Sequence, residues 1–323
     1  MRYALLFLYF PIIAVASEPK ELNSDSSRLA YTHTSDQISQ TEFALDYQNH
    51  RRDLFWPHDL EAPKAQDFGF TAHLFNGQHL NARYQGERVA FGIGNKFSSD
   101  WLTHFFLGAH FFNNLSVQKK NTTPYLEGEL FSILSPTLEM HLKLNHDFIY
   151  QDFVQPSGVD SAITANSLFL NLTYKPISVL RSNLITSFKT YSDSNNKRDL
   201  DASLLYGIAT STPWIWVGLG AEFLSYSSHQ QGYWSPAPFY SYGPRFEGVF
   251  PIFDHFELAT GLNLNHFSED STAIGNGYYG TFKLQYGTRN TFNLYLEYIR
   301  IIAEQNSRQW FSNSLAIGAN ISL

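Results

Sequence analysis

The sequence predicts an all-β chain: a transmembrane antiparallel up-and-down β-barrel of about sixteen strands, or fourteen if the weak pair near Leu80 and Val89 is not a pair of strands. Three observations carry this. From about Glu42 to Leu323, stretches of roughly ten residues alternate apolar and polar side chains, as strands with one lipid face and one lumen face must. The connectors between them are alternately short and long. The chain also opens on an export-type leader.

The leader comes first. Arg2 gives a minimal basic start, Ala4 to Ile13 an apolar core, and Ala14-Val15-Ala16 an A-x-A cleavage pattern. Residues 1–16 therefore read as a signal peptide, too short for a spanning helix. Ser17 to Gln40 is rich in Ser, Asp and Thr and reads as a flexible periplasmic tail. Residues 41–323 read as one barrel domain.

Within it the alternation is explicit. Phe68, Phe70, Ala72 and Leu74 alternate with Asp67, Gly69, Thr71 and His73. Leu168, Leu170, Leu172 and Tyr174 alternate with Phe169, Asn171 and Thr173, and Phe292, Leu294, Leu296 and Tyr298 with Asn293, Tyr295 and Glu297. A slip of one residue would move charges into lipid at about 2–4 kcal/mol each at the midplane, so register is strongly specified. Short connectors are expected at Asn76-Gly77, Phe97 to Asp100, Leu134 to Thr137, Lys175 to Ser178, Thr210 to Pro213, Pro251 to Asp254 and Gly287 to Asn290. Longer outer ones are expected at His50 to Gln66, Phe112 to Thr123, Gln151 to Ala165, Tyr191 to Arg198, Ser228 to Tyr240, Phe267 to Gly277 and Ile302 to Trp310. Gln85 to Arg88 is short where a long loop is due. This rhythm puts both termini in the periplasm and predicts a bacterial outer-membrane location. The last strand, Leu315 to Leu323, alternates to the terminus, as a barrel-closing strand presented to the assembly machinery should, but ends in Leu rather than an aromatic ring.

Composition agrees. Apolar residues make up 43% of the chain and mean hydropathy is −0.25, as expected where half of every strand faces a polar lumen. Aromatic content is 16%, with 28 Phe, 19 Tyr and 6 Trp, enough for interfacial girdles and a lipid-facing band. A soluble β-sandwich would also alternate, but without strict short and long connectors. No run approaches eighteen apolar residues, which excludes a helical membrane protein. The absence of cysteine excludes a disulfide framework, and a formal charge of −7 with no basic run argues against a nucleic-acid partner.

Chemistry-bearing patterns are sparse. The twelve His residues form no H-E-x-x-H, so neither a metal site nor a cofactor is expected. His229-Gln230-Gln231-Gly232 is similar to the His/Ser/Asn-Gly site of outer-membrane phospholipases but lacks the nucleophilic Ser. The chain reads as a non-enzyme. Glu127, Glu129, Glu139, Asp147, Asp201, Glu222, Glu247, Glu257 and Glu297 are placed on the lumen face, with Arg83, Arg88, Lys143, Arg181, Lys189, Arg245 and Lys283. Such a mixed lining suits a hydrated channel, or ion pairs that fill it. Trp214 and Trp216 share a face with Glu222, and Tyr295 with Glu297, as a sugar-guiding surface would need; girdle or rim packing is the plainer use of the Trp pair.

Two local motifs remain. Tyr191-Ser192-Asp193-Ser194-Asn195 falls in one outer loop and Gly232-Tyr233-Trp234-Ser235-Pro236 in the next. The pair resembles the S-D-x-N and Y-[WYF]-S/N-P loops in the C-terminal barrels of exopolysaccharide export proteins, namely the poly-N-acetylglucosamine export porin and the outer-membrane subunit of cellulose synthase. That resemblance spans roughly residues 53–323 and implies sixteen strands and passage of a growing polysaccharide chain. Those proteins carry a periplasmic tetratricopeptide domain that is absent here, which implies either a separate periplasmic tetratricopeptide partner or divergence to another role. On this reading Tyr233, Trp234 and Pro236 form an outer gate with Asp193 and Asn195, and Trp216, Glu222, Arg245, Glu247 and Glu297 lie along the path. Loop ordering by the rings, and turn formation by Asp193 and Asn195, are the alternative roles. The other partners expected are outer-membrane lipid and lipopolysaccharide. Two other functions compete: a general diffusion porin, and a lipid- or lipopolysaccharide-modifying barrel hydrolase.

Overall fold

A computed structural model describes residues 25–34, 38–48, 66–79, 82–98, 100–149, 162–211, 213–230, 233–253, 255–270, 274–288, 292–305 and 308–321. The signal-peptide reading lies outside these residues. The described residues form sixteen strands: β1 (Asp25–Thr34), β2 (Ile38–Gln48), β3 (Gln66–His79), β4 (Ala82–Ser98), β5 (Trp101–Asn114), β6 (Lys119–Ser135), β7 (Leu138–Phe148), β8 (Thr164–Ile177), β9 (Leu180–Tyr191), β10 (Asn196–Ala209), β11 (Trp214–Tyr226), β12 (Phe239–Phe253), β13 (Phe256–Glu269), β14 (Gly275–Thr288), β15 (Phe292–Gln305) and β16 (Arg308–Ile321). Each pairs antiparallel with its neighbours in sequence. The barrel closes where β1 pairs with β16, Asp25 opposite Ile321. Closure leaves no strand edge unpaired, which hydrocarbon demands of a spanning sheet.

The outer wall is apolar. On β5, Trp101, Phe105, Leu107 and Phe111 are all exposed and on one face. Ten residue steps at about 3.4 Å, tilted by about 40°, rise roughly 26 Å, the height of a hydrocarbon band. Phe91 and Ile93 on β4, Leu262 and Leu264 on β13 and Leu294 and Leu296 on β15 continue it round the barrel.

The count of sixteen holds, but two assignments behind it do not. Asp25–Thr34 is a strand, not part of a tail reaching Gln40, and β2 begins at Ile38. β1 presents Leu29 and Tyr31 outward and holds Ala30 inside; these short apolar positions interrupt a polar run and hide the alternation. Conversely, Asn76-Gly77 and Gln85 to Arg88 are not turns. β3 runs through the first and β4 through the second. One strand gained and one lost leave the total unchanged. With β1 in place, β2 ends and β3 begins at the barrel end that carries both termini; the expected long connector between them, His50 to Gln66, falls almost wholly outside the described residues. The continuity of β4 also corrects Arg83. It stands five residues before Arg88, so the two face opposite ways: Arg88 inward, Arg83 outward and exposed.

At the outer end the inward face is aromatic. Phe75, Tyr84, Phe112, Phe148, Tyr191, Tyr226, Phe239, Phe267 and Trp310, from strands all round the barrel, join one buried cluster. Tyr233 and Trp234 belong to it.

Candidate functional site: the outer mouth and the inward wall

The two motif loops interlock. The β9–β10 connection turns on Asp193, whose Oδ1 accepts the Asn195 amide at 3.1 Å, with Ser194 at φ 70°. That turn aims both side chains at the β11–β12 loop. Asn195 Nδ2 donates to the Tyr233 hydroxyl at 2.8 Å and to the Ser228 carbonyl at 2.9 Å. Its Oδ1 accepts from the Ser227 hydroxyl at 2.7 Å and the Ser228 amide at 3.0 Å. The Tyr233 hydroxyl in turn donates to Asp193 Oδ2 at 3.0 Å. Burial, and the Asp193 carboxylate beside it, push this hydroxyl well above the ordinary phenol range, so it stays a donor.

The rings complete the clasp. Tyr233 stacks on Tyr191 at 5.1 Å between centroids and tilts against Tyr226 at 5.8 Å. Trp234 meets Phe239 edge-on and donates from Nε1 to Glu269 at 3.0 Å, tying the loop to β13. The Pro236 carbonyl accepts the Tyr226 amide at 2.9 Å. Tyr233 is 1% exposed, Asn195 1% and Trp234 5%. In this arrangement Tyr233 and Trp234 hold the loop down, and neither offers a face to a solute. Glu269 and Tyr226 were missed in the sequence. Glu269 lies 35 residues from Trp234, and no local pattern joins them.

The inward-wall residues are brought together in pairs, apart from the clasp. Arg245 donates through Nη1 to Asp201 Oδ1 at 2.8 Å, crossing from β12 to β10. It does so by lying flat over Gly220 of β11, where an added Cβ would sit 1.9 Å from Arg245 Nε. Glu247 accepts from Arg181 of β9, whose guanidinium lies 4.9 Å from the Trp216 ring centre. Trp216 is thereby buried inside the wall rather than in a girdle. Glu222 stands directly opposite Asp201 in the β10–β11 register, and its buried Oε2 has no hydrogen-bond partner among the described residues. Glu297 lies apart, 3.7 Å from Arg28 of β1.

A second network lines β2 to β7. His73 bridges Glu42 at 2.9 Å and Asp46 at 3.2 Å. Arg88 reaches Asp147 at 2.8 Å and lies over Tyr125, whose hydroxyl donates to Glu127 at 2.6 Å. Lys143 closes the run against Glu127 at 2.7 Å and Glu129 at 2.8 Å. His73 and Lys143 pair with the adjacent strand, while Arg88 reaches from β4 to β7, a pattern alternation cannot show.

No protein-family profile and no curated protein sequence matches this chain. Solved structures do. The chain is similar to a bacterial polysaccharide outer membrane secretin, with a TM-score of 0.70 and 9% identity over 93% of this chain and 99% of that one. It is also similar to CdiB from Acinetobacter baumannii, with a TM-score of 0.51 and 7% identity over 92% of this chain and 60% of that one. OccK11 (OpdR) from Pseudomonas aeruginosa gives a TM-score of 0.47 at 12% identity, over 92% of this chain and 95% of that one. At these identities the likeness is one of fold. With its closed sheet and apolar outer wall, the chain is a porin-like barrel of the bacterial outer membrane.

Proposed function

We propose that this barrel is an outer-membrane conduit for export of an exopolysaccharide, acting by passive guidance without covalent catalysis. The observation that carries the reading is the clasp of Asp193 and Asn195 on Tyr233: the two motifs through which the sequence resembles export barrels are bonded to each other at the outer mouth. The similarity to a polysaccharide secretin supports it. On this reading the β11–β12 loop is the outer gate. It is held shut by Tyr233, Trp234 and the Pro236 carbonyl, and swings away when the chain emerges. On this reading Trp216, Glu222, Arg245 and Glu247, buried in the inward wall, shape the path, and Glu297 lies along it where carboxylates suit hydroxyl-rich sugars. A separate periplasmic partner would deliver the glycan.

Planar-bilayer conductance of the refolded barrel tests this, with and without cello-oligosaccharides and chitosan oligomers. The expected result is low conductance that rises severalfold in Tyr233→Ala/Trp234→Ala and is then blocked by one of the sugars. Large conductance indifferent to sugars in the unaltered barrel would establish a general diffusion porin instead. No conductance in either form would mean a plugged barrel and end the export reading.

A further inference from the structure

The correction at Arg83 exposes a feature outside the conduit. β5 and β6 are joined by a tight hairpin, residues 115–118, whose tip is bound to Arg83. The Arg83 amide donates to Ser116 Oγ at 2.8 Å and its carbonyl accepts the Leu115 amide at 2.8 Å. Asn114 Oδ1 caps the turn, accepting the Ser116 amide at 3.0 Å. With its backbone held, Arg83 turns its side chain outward and exposed. Lys120, beside Lys119 at the start of β6, is outward and exposed on the same face, two strands away. Neither Arg83 nor Lys120 forms an ion pair with another described residue.

Their height matters. The apolar band ends on this face at Phe111, opposite Glu87 and Thr122. Lys120 stands two residues above Thr122, about 7 Å along the strand, and Arg83 four above Glu87, about 13 Å. The headgroup layer beyond the hydrocarbon is roughly 5–8 Å deep, and long cationic side chains reach through it. Asn113 and Gln85 add neutral hydrogen-bonding groups between the two cations. Glu87, the carboxylate on this face, sits below them at the level of Phe111. Elsewhere the outward face near this end carries Thr190, Ser225 and Asn276, with Arg198 beside Ser225 and the carboxylate Glu304 opposite Asn276.

We propose that Arg83 and Lys120 form a docking site for the phosphorylated sugar headgroup of an outer-leaflet glycolipid. A guanidinium meets a phosphate with two parallel hydrogen bonds and an ammonium adds a point charge, while the amides take sugar hydroxyls. The site fixes one flank of the barrel in the leaflet and is independent of whether the lumen carries glycan.

The test is native mass spectrometry of the detergent-folded full barrel titrated with diphosphoryl lipid A, dephosphorylated lipid A and phosphatidylglycerol. Diphosphoryl lipid A should bind the unaltered barrel best, and Arg83→Gln/Lys120→Gln should weaken it on the order of thirtyfold, about fivefold for each charge. Lys120→Arg should retain binding. Circular dichroism checks that the variants fold; if the double variant does not, Lys120→Gln alone carries the test at about fivefold. Equal affinity of variant and unaltered barrel for diphosphoryl lipid A would overturn the site. So would phosphatidylglycerol binding as tightly, since that would be unselective attraction to anionic lipid.

Discussion

Gly220 makes the Arg245–Asp201 pair possible. Arg245 must cross β11 to reach β10, and only a residue without Cβ lets the guanidinium lie against the wall. The same device recurs with Tyr84 over Gly77, where a Cβ would fall 2.2 Å from the ring, and Tyr295 over Gly318 at 2.4 Å. Gly220→Ala should therefore cost stability by more than the about 1–3 kcal/mol typical of overpacking, because it also strands a buried carboxylate. Gly280→Ala is the matched control: its Cβ would meet Leu262 at 3.4 Å, close to ordinary contact. Thermal unfolding of the two variants checks this, and equal melting temperatures would show that Arg245 relocates freely. Gly77 also explains a misreading. Asn76-Gly77 has the form of a hairpin turn, yet here the glycine accommodates an aromatic ring from the next strand. Sequence shows that a glycine is present, not which neighbour needs the space.

The strands differ in how openly they announce themselves. Those with long outward side chains on every second residue, such as β13 with Leu262 and Leu264 or β15 with Leu294 and Leu296, are legible because lipid selects them directly. β1 is not, because much of its value lies in pairing. It supplies backbone partners to β16 and β2 along nearly its whole length, while its inward positions include Ala30 and Thr34, each nearly fully buried. Backbone hydrogen bonds leave no mark in composition. A chain that keeps the leader but lacks residues 18–35 separates the two readings. If Asp25–Thr34 were a tail, the truncated barrel would fold; as the closing strand, its loss exposes the facing edges of β16 and β2 to lipid. The expected outcome is loss of the heat-modifiable folded band on gels of outer-membrane fractions, measured against the full chain.

The candidate site was legible in its motifs and illegible in its contacts. Asp193, Asn195, Tyr233 and Trp234 stand out as short patterns, but that one loop closes on the other depends on β9 to β12 lying side by side, which only the closed sheet supplies. Seen as a whole, the molecule keeps two machineries apart. Arg181, whose pair with Glu247 braces the wall, lies ten residues below Tyr191 of the clasp, about 34 Å along β9. The two groups share none of the partners described for either. Effects at sites this distant add, so each can be altered without touching the other. Arg181→Met leaves Glu247 buried without its cation, and should destabilise the barrel by about 3–5 kcal/mol while leaving the clasp intact. Tyr233→Ala should free the β11–β12 loop, seen as faster amide exchange at Ser227 and Ser228, with the wall unmoved. Combined in one chain, the two substitutions should give summed losses in denaturant unfolding to within about 0.5 kcal/mol. A larger interaction energy would mean that mouth and wall move as one body, and the gate could then not open without loosening the barrel that holds it.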